Sequence, residues 1–166
     1  MDLTLSIMTE RAEDAGSIQR LNERAFGPGR YALSAYRLRE GAQHDLALSF
    51  VARVGTLLVG SNRMTPVECG GVPGLLLGPL TVEPAFRSRG IGRALVEASV
   101  AAAAAAGHAL VLLVGDELYY GRLGFARLAP GKLAMPGPVD PARLLARELT
   151  PGILAQANGA ILPRRG

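Results

Sequence analysis

Apolar and polar positions along this chain switch repeatedly between strand-like alternation and helical spacing. Residues 3–8 alternate as Leu, Thr, Leu, Ser, Ile, Met, which predicts a first strand. Glu13 and Asp14 then open a helix, since acidic side chains suit a helix start, and Ile18, Leu21 and Ala25 recur at helical spacing up to Phe26. Gly27-Pro28-Gly29 breaks it. A second short helix is predicted over 31–40, a turn over 41–45, a strand over 46–54 and a hairpin at Gly55. Strands over 56–68 and 75–82 follow, joined by Gly70-Gly71-Val72-Pro73-Gly74, and Glu83-Pro84 ends the second. The spacing then predicts a long helix over 91–106, a strand over 109–114, a short helix through Leu123, a strand near 125–128 and a tail helix over 141–149. This order predicts an α/β (α+β) fold, with helices on both faces of one mixed, mostly antiparallel sheet.

Composition narrows the picture. With 166 residues, 49% hydrophobic and 19% charged, the chain can bury the core of a single domain over 1–166. The apolar stretch 94–114 has membrane-spanning length, but Glu97 and Gly107-His108 divide it into helix and strand, so no membrane role is expected. The start, Met1-Asp2-Leu3-Thr4, lacks the basic and apolar regions of an export signal, and cytoplasmic residence is the expectation. A net charge of +4 raises a nucleic-acid reading. Against it, the cations are scattered, Lys132 is the single lysine, and no tryptophan offers a stacking platform. Cys69 alone excludes an internal disulfide, and two isolated histidines, His44 and His108, make no metal site.

The chemistry concentrates in Arg87-Ser88-Arg89-Gly90-Ile91-Gly92, where a strand passes through two glycines into the long helix. The first turn of a helix leaves backbone N–H groups unpaired and carries partial positive charge, so glycines there admit a pyrophosphate to bare backbone. Arg87, Arg89 and Arg93 add countercharge. A Walker loop would need Lys followed by Ser or Thr, yet Arg93-Ala94 follows Gly92. A dinucleotide fingerprint would need a small residue where Leu95 stands.

The hexapeptide fits Arg/Gln-x-x-Gly-x-Gly/Ala at every defined position, and Tyr120 to Phe125 fits Tyr-x-x-x-Gly-Phe after the next strand. In these motifs, and in the surrounding Leu-Gly-Pro-Leu and Gly-Asp-x-x-Tyr-Tyr-Gly-Arg-x-Gly-Phe, the chain resembles the GNAT superfamily of acetyl-CoA-dependent N-acetyltransferases, over nearly its whole length. The resemblance implies strands four and five splayed like a V. Acetyl-CoA would lie with its pyrophosphate on Arg87, Ser88, Arg89, Gly90, Ile91, Gly92 and Arg93. Its pantetheine arm would pair with the strand edge Leu80, Thr81, Val82. The amine would enter between the segment 26–39 and Pro136-Gly137-Pro138.

Such a transfer has two proton problems. A lysine-like amine of pKa about 10.4 is only about 0.04% neutral near pH 7, equivalent to roughly 4.6 kcal/mol. Glu83 and Asp116, each at a strand end, are the candidate bases. The leaving thiolate needs an acid, and the resemblance assigns that role to Tyr120, with Tyr119 as fallback. The expected function is N-acetyl transfer from acetyl-CoA to a primary amine of a small molecule, with a protein amine as the other acceptor class, and no metal is expected. The alternative is a non-catalytic acyl-CoA sensor. The strand-like 160–162 would complete the sheet or pair a homodimer.

Overall fold

A computed structural model describes residues 4–26, 38–40 and 42–164. Of the short helix predicted over 31–40, residues 31–37 lie outside the described residues, while 38–40 are helical.

The sheet runs β1 (Leu5–Thr9), β2 (Phe50–Val54), β3 (Leu57–Cys69), β4 (Val72–Val82), β5 (Leu110–Val114), then β8 (Leu144–Glu148) and β6 (Ala126–Arg127). Along this path only β4 and β5 pair in parallel. β7 (Leu133–Ala134) pairs with β9 (Gly159–Pro163), and β9 lies antiparallel to the end of β3, with Ile161 opposite Cys69. The C-terminal strand therefore completes this chain's own sheet.

Alternation along β2 and β3 sends Val51 and Leu58 to one face, where Ile18 and Leu21 of α1 (Ala15–Phe26) cover them. Ala52 and Val59 point to the other face, against Ile91 and Leu95 of α2 (Ile91–Ala105). The buried stripe of α2 continues through Val96, Ser99, Val100 and Ala103, so the alanine-rich half is an ordinary sheet-packing helix. A buried hydrogen bond from Asn62 Nδ2 to Ser99 Oγ, 3.0 Å, fixes α2 over β3.

Three predicted elements differ. Leu46–Leu48 forms a 3₁₀ turn rather than strand, because the Asp45 carboxylate accepts from Ala47 N–H at 2.9 Å and tightens the backbone. Gly70 (φ 54°) and Gly71 (φ 90°) alone make the β3–β4 turn, whose left-handed pair suits the twist of a tight hairpin, so Pro73 and Gly74 belong to β4. The predicted tail helix over 141–149 is a 3₁₀ turn, Pro141–Arg143, followed by β8. Leu144, Leu145 and Ala146 are all buried, and a strand covered on both sides shows a continuous apolar run that periodicity does not separate from a helix.

Candidate active site

β4 and β5 are in register at Leu75 with Val111 and Leu76 with Leu112, and the parallel ladder stops there although β4 runs on to Val82. The strands part as expected, leaving the β4 edge from Leu77 onward without a β5 partner. A bulge reinforces the parting. Asn62 faces Leu80 and Met64 faces Leu77, so Gly78 and Pro79 share Arg63 as their single opposite residue. Between the strands opens a cavity of about 1310 Å³, bounded by Leu77 to Leu80, by Leu113 to Asp116 and by Asn22 and Phe26 of α1. Arg39 and Pro138 also line it, at the two segments expected to shape an acceptor pocket.

The backbone turns sharply before α2, with Ser88 (φ 64°) and Gly90 (φ 79°) both left-handed. Gly90 is the N-cap, no side chain caps the helix, and the ladder begins with Ala94 N–H donating to Gly90 C=O at 3.0 Å. The first-turn N–H groups are thus aimed outward without side-chain acceptors. Beside them lies a groove of about 390 Å³. Of the ten residues predicted to hold the cofactor, all but Arg89 line this groove. Arg89 lies over the Phe86 ring at 5.3 Å, and Arg93 is paired with Glu97 at 2.8 Å. Arg87 borders both the groove and the larger cavity. Thr81 contributes structurally as well, since its hydroxyl donates to Asn22 Oδ1 at 2.6 Å and ties α1 to β4. A Cβ built on Gly92 would stand 2.6 Å from the Tyr119 hydroxyl and 3.7 Å from Leu80 and Val82 side chains, so that side of the turn is open only because residue 92 is glycine.

The short helix α3 (Glu117–Gly121) carries both tyrosines. Tyr120 packs edge-on to Phe125 (6.1 Å) and Tyr119 (4.8 Å), over a backbone kept bare by Gly115, where a Cβ would meet its ring at 2.5 Å. Tyr120 lines the larger cavity, and Tyr119 lines both. Burial, with a smaller contribution from Tyr119, pushes the Tyr120 phenol up to about 12, so it stays protonated well above neutrality. Burial also raises Tyr119, against the pull of Arg93. Asp116 caps α3, accepting from Leu118 N–H at 3.0 Å, and lines the larger cavity. Glu83 accepts from Arg24 at 2.7 Å and lines neither space.

One cluster had no signal in the sequence. Glu10, 1% exposed at its side chain, accepts from Arg63 at 3.0 and 3.1 Å and meets His44 Nε2 at 2.7 Å. Burial alone would raise the Glu10 pKa, but the bonds to His44 and Arg63 outweigh it and hold the carboxyl below its ordinary value. Because the ionised carboxylate only accepts, neutral His44 must carry its proton on Nε2, leaving Nδ1 as an acceptor. His44 and Arg63 line the larger cavity. These residues come from β1's end, the loop before β2 and the middle of β3, so only the folded sheet unites them.

A family model described as an acetyltransferase (GNAT) domain matches residues 45–127, half of the chain. The chain is 30% identical over 129 residues to the uncharacterized N-acetyltransferase YjhQ of Escherichia coli (strain K12), covering 75% of this chain and 71% of that protein. Among solved structures, it is similar to the GNAT family N-acetyltransferase YhbS from Escherichia coli in complex with CoA. The TM-score there is 0.83 at 26% identity, covering 99% of this chain and 92% of that one. A GNAT family acetyltransferase from Brucella melitensis in complex with acetyl-CoA superposes with TM-score 0.62 at 31% identity, over 87% and 96% of the two chains. The chain belongs to the GNAT family of N-acetyltransferases. Among the described residues no group of His, Cys, Asp and Glu could hold a metal ion, and no helix is long and apolar enough to cross a membrane.

Proposed function

We propose that this chain transfers the acetyl group of acetyl-CoA to a primary amine of a small molecule, by direct attack with both substrates bound. The carrying observation is the continuity of groove and cavity. The uncapped turn at Gly90 and the open edge of β4 share Leu80, Arg87 and Tyr119 with the larger space that receives an acceptor. The fit for a CoA thioester is chemical as well as spatial. Outward N–H groups and Arg87 suit a pyrophosphate, and the unpaired edge Leu80 to Val82 suits an amide-bearing arm. Relatives solved with CoA and acetyl-CoA support the same choice of co-substrate.

Acetyl-CoA supplies an acyl carbon activated as a thioester. The amine nitrogen bonds to that carbon as the carbon–sulfur bond breaks. Asp116, at the mouth of the splay, takes the amine proton through water, and Tyr120 donates its phenolic proton to the departing sulfur. Glu83, held by Arg24, is left to anchor α1 to the end of β4. His44 Nδ1 is the rival base, favoured by its bond to Glu10.

Release of free CoA thiol from acetyl-CoA across a panel of amines tests the proposal. Amine-dependent release, reduced by D116N and spared by H44Q, is the expected pattern, and the reverse pattern moves the base to His44. Tight acetyl-CoA binding with no release for small amines or peptides would instead make the chain a sensor.

A further inference from the structure

Arg39 lines the larger cavity, on the α1 side of the β4 bulge, and its Nε is buried without any hydrogen-bond partner. The residue as a whole is half-buried. Its guanidinium lies against the bare backbone of Gly78, where a Cβ would come within 2.8 Å of Nη2. Burial and the neighbouring cation Arg63 together lower its pKa to about 10, the signature of a cation lacking an anion. Nearby carboxylates do not answer it. Glu10 is committed to Arg63 and His44, while Glu40, Asp116 and Asp140 are exposed on the cavity wall. The residues outside the description between 27 and 41 contain no Asp or Glu, so none of them supplies a countercharge.

A buried guanidinium left unpaired is costly, and a ligand that supplies a planar anion repays that cost on binding. The groove at the α2 turn, which suits the pyrophosphate, does not include Arg39. The missing anion therefore belongs to the other substrate. We infer that the acceptor is an amine that also carries a carboxylate, received by Arg39 beside Gly78, with the amino group directed toward the splay of β4 and β5. This rests on the acetyl-transfer reading above and names its substrate class.

Two arms test it. In the first, wild type and R39Q are compared on ω-amino acids of increasing length and on the alkylamines that end in methyl instead of carboxylate. The wild type is expected to prefer one or more carboxylate-bearing members by on the order of 10-fold to 100-fold in kcat/KM. R39Q should lose that preference through a raised KM for the carboxylate-bearing members, so that kcat/KM for the two series converges. Equal rates for both series in the wild type, or an equal loss for both in R39Q, overturns the inference while leaving acetyl transfer intact. The second arm does not need turnover. Arginine-labelled wild type is titrated with acetate and, separately, with chloride at matched ionic strength, and the Nε–H resonance absent from R39K is followed. A saturable shift with acetate alone supports the site. No shift overturns it, whatever the acyltransfer assay shows.

Discussion

Replacing Gly92 with glutamate tests the cradle directly. The new Cβ would point to the side of the turn bounded by Tyr119, Leu80 and Val82, which is the groove itself. At roughly 6 Å and an effective dielectric near 20, the carboxylate repels each phosphate charge by about 3 kcal/mol. That corresponds to on the order of 10²-fold in affinity per charge, before salt reduces it. Folding should not suffer. Leaving glycine in a helix gains up to about 1 kcal/mol, and an acidic side chain in the first turn favours the dipole, offsetting displacement of the Tyr119 hydroxyl. Titration calorimetry of G92E with acetyl-CoA should therefore lose the binding heat while the melting curve keeps its midpoint. G92A, which crowds Tyr119 but adds no charge, should lose no more than about tenfold. Wild-type affinity in G92E, with an unchanged melt, would refute a pyrophosphate at this turn.

Y120F should lower kcat strongly with little change in acetyl-CoA affinity, and Y119F should leave kcat the higher of the two; the reverse order in steady-state assays transfers the acid role. Because the Tyr120 phenol titrates only near 12, kcat should show no alkaline limb from this group between about pH 7 and 10, and a limb there that Y120F abolishes would contradict its burial. E10Q should cost about 2–3 kcal/mol near pH 7 by urea denaturation, since it leaves the half-buried Arg63 without its anion. The Glu10 pKa is lower folded than unfolded, so its contribution is present above 4.5 and fades as pH falls through the folded value. The gap between E10Q and wild type should narrow as pH falls below 4.5 and on through the lowered folded value.

The parts of the site read from sequence are those made by contiguous residues. The turn at 87–92 and the tyrosine helix each hold their candidate residues within a few positions, so helix-start physics and motif spacing single them out as candidates. The Glu10, His44 and Arg63 cluster joins residues 34 and 53 positions apart, and no local pattern encodes that meeting. Arg39 was legible as a residue near the acceptor side, but its lack of an anion is a property of packing alone. Glu83 marks the opposite case. Its place after a strand suggested a base, while Arg24, two residues before Phe26 on α1, engages the carboxylate across 59 positions. β8 escaped because its buried Leu-Leu-Ala run has no alternation to betray a strand covered on both faces.

The bulge at Gly78 and Pro79 connects these parts. Proline there removes a backbone donor, and glycine clears the space that the Arg39 guanidinium enters. Two residues on from Gly78, Leu80 begins the edge proposed for the co-substrate, so the proposed acyl site and the cationic pocket stand on one strand, separated by a fixed number of residues. A strand paired along β3 holds that separation more rigidly than a loop would. Choice among amino-carboxylate acceptors then becomes a question of length, because the distance from carboxylate to amine must match the distance along β4 from the bulge to the splay. In the ω-amino acid series the rate should therefore peak at one chain length, with shorter and longer members both slower, rather than climb steadily with apolar surface.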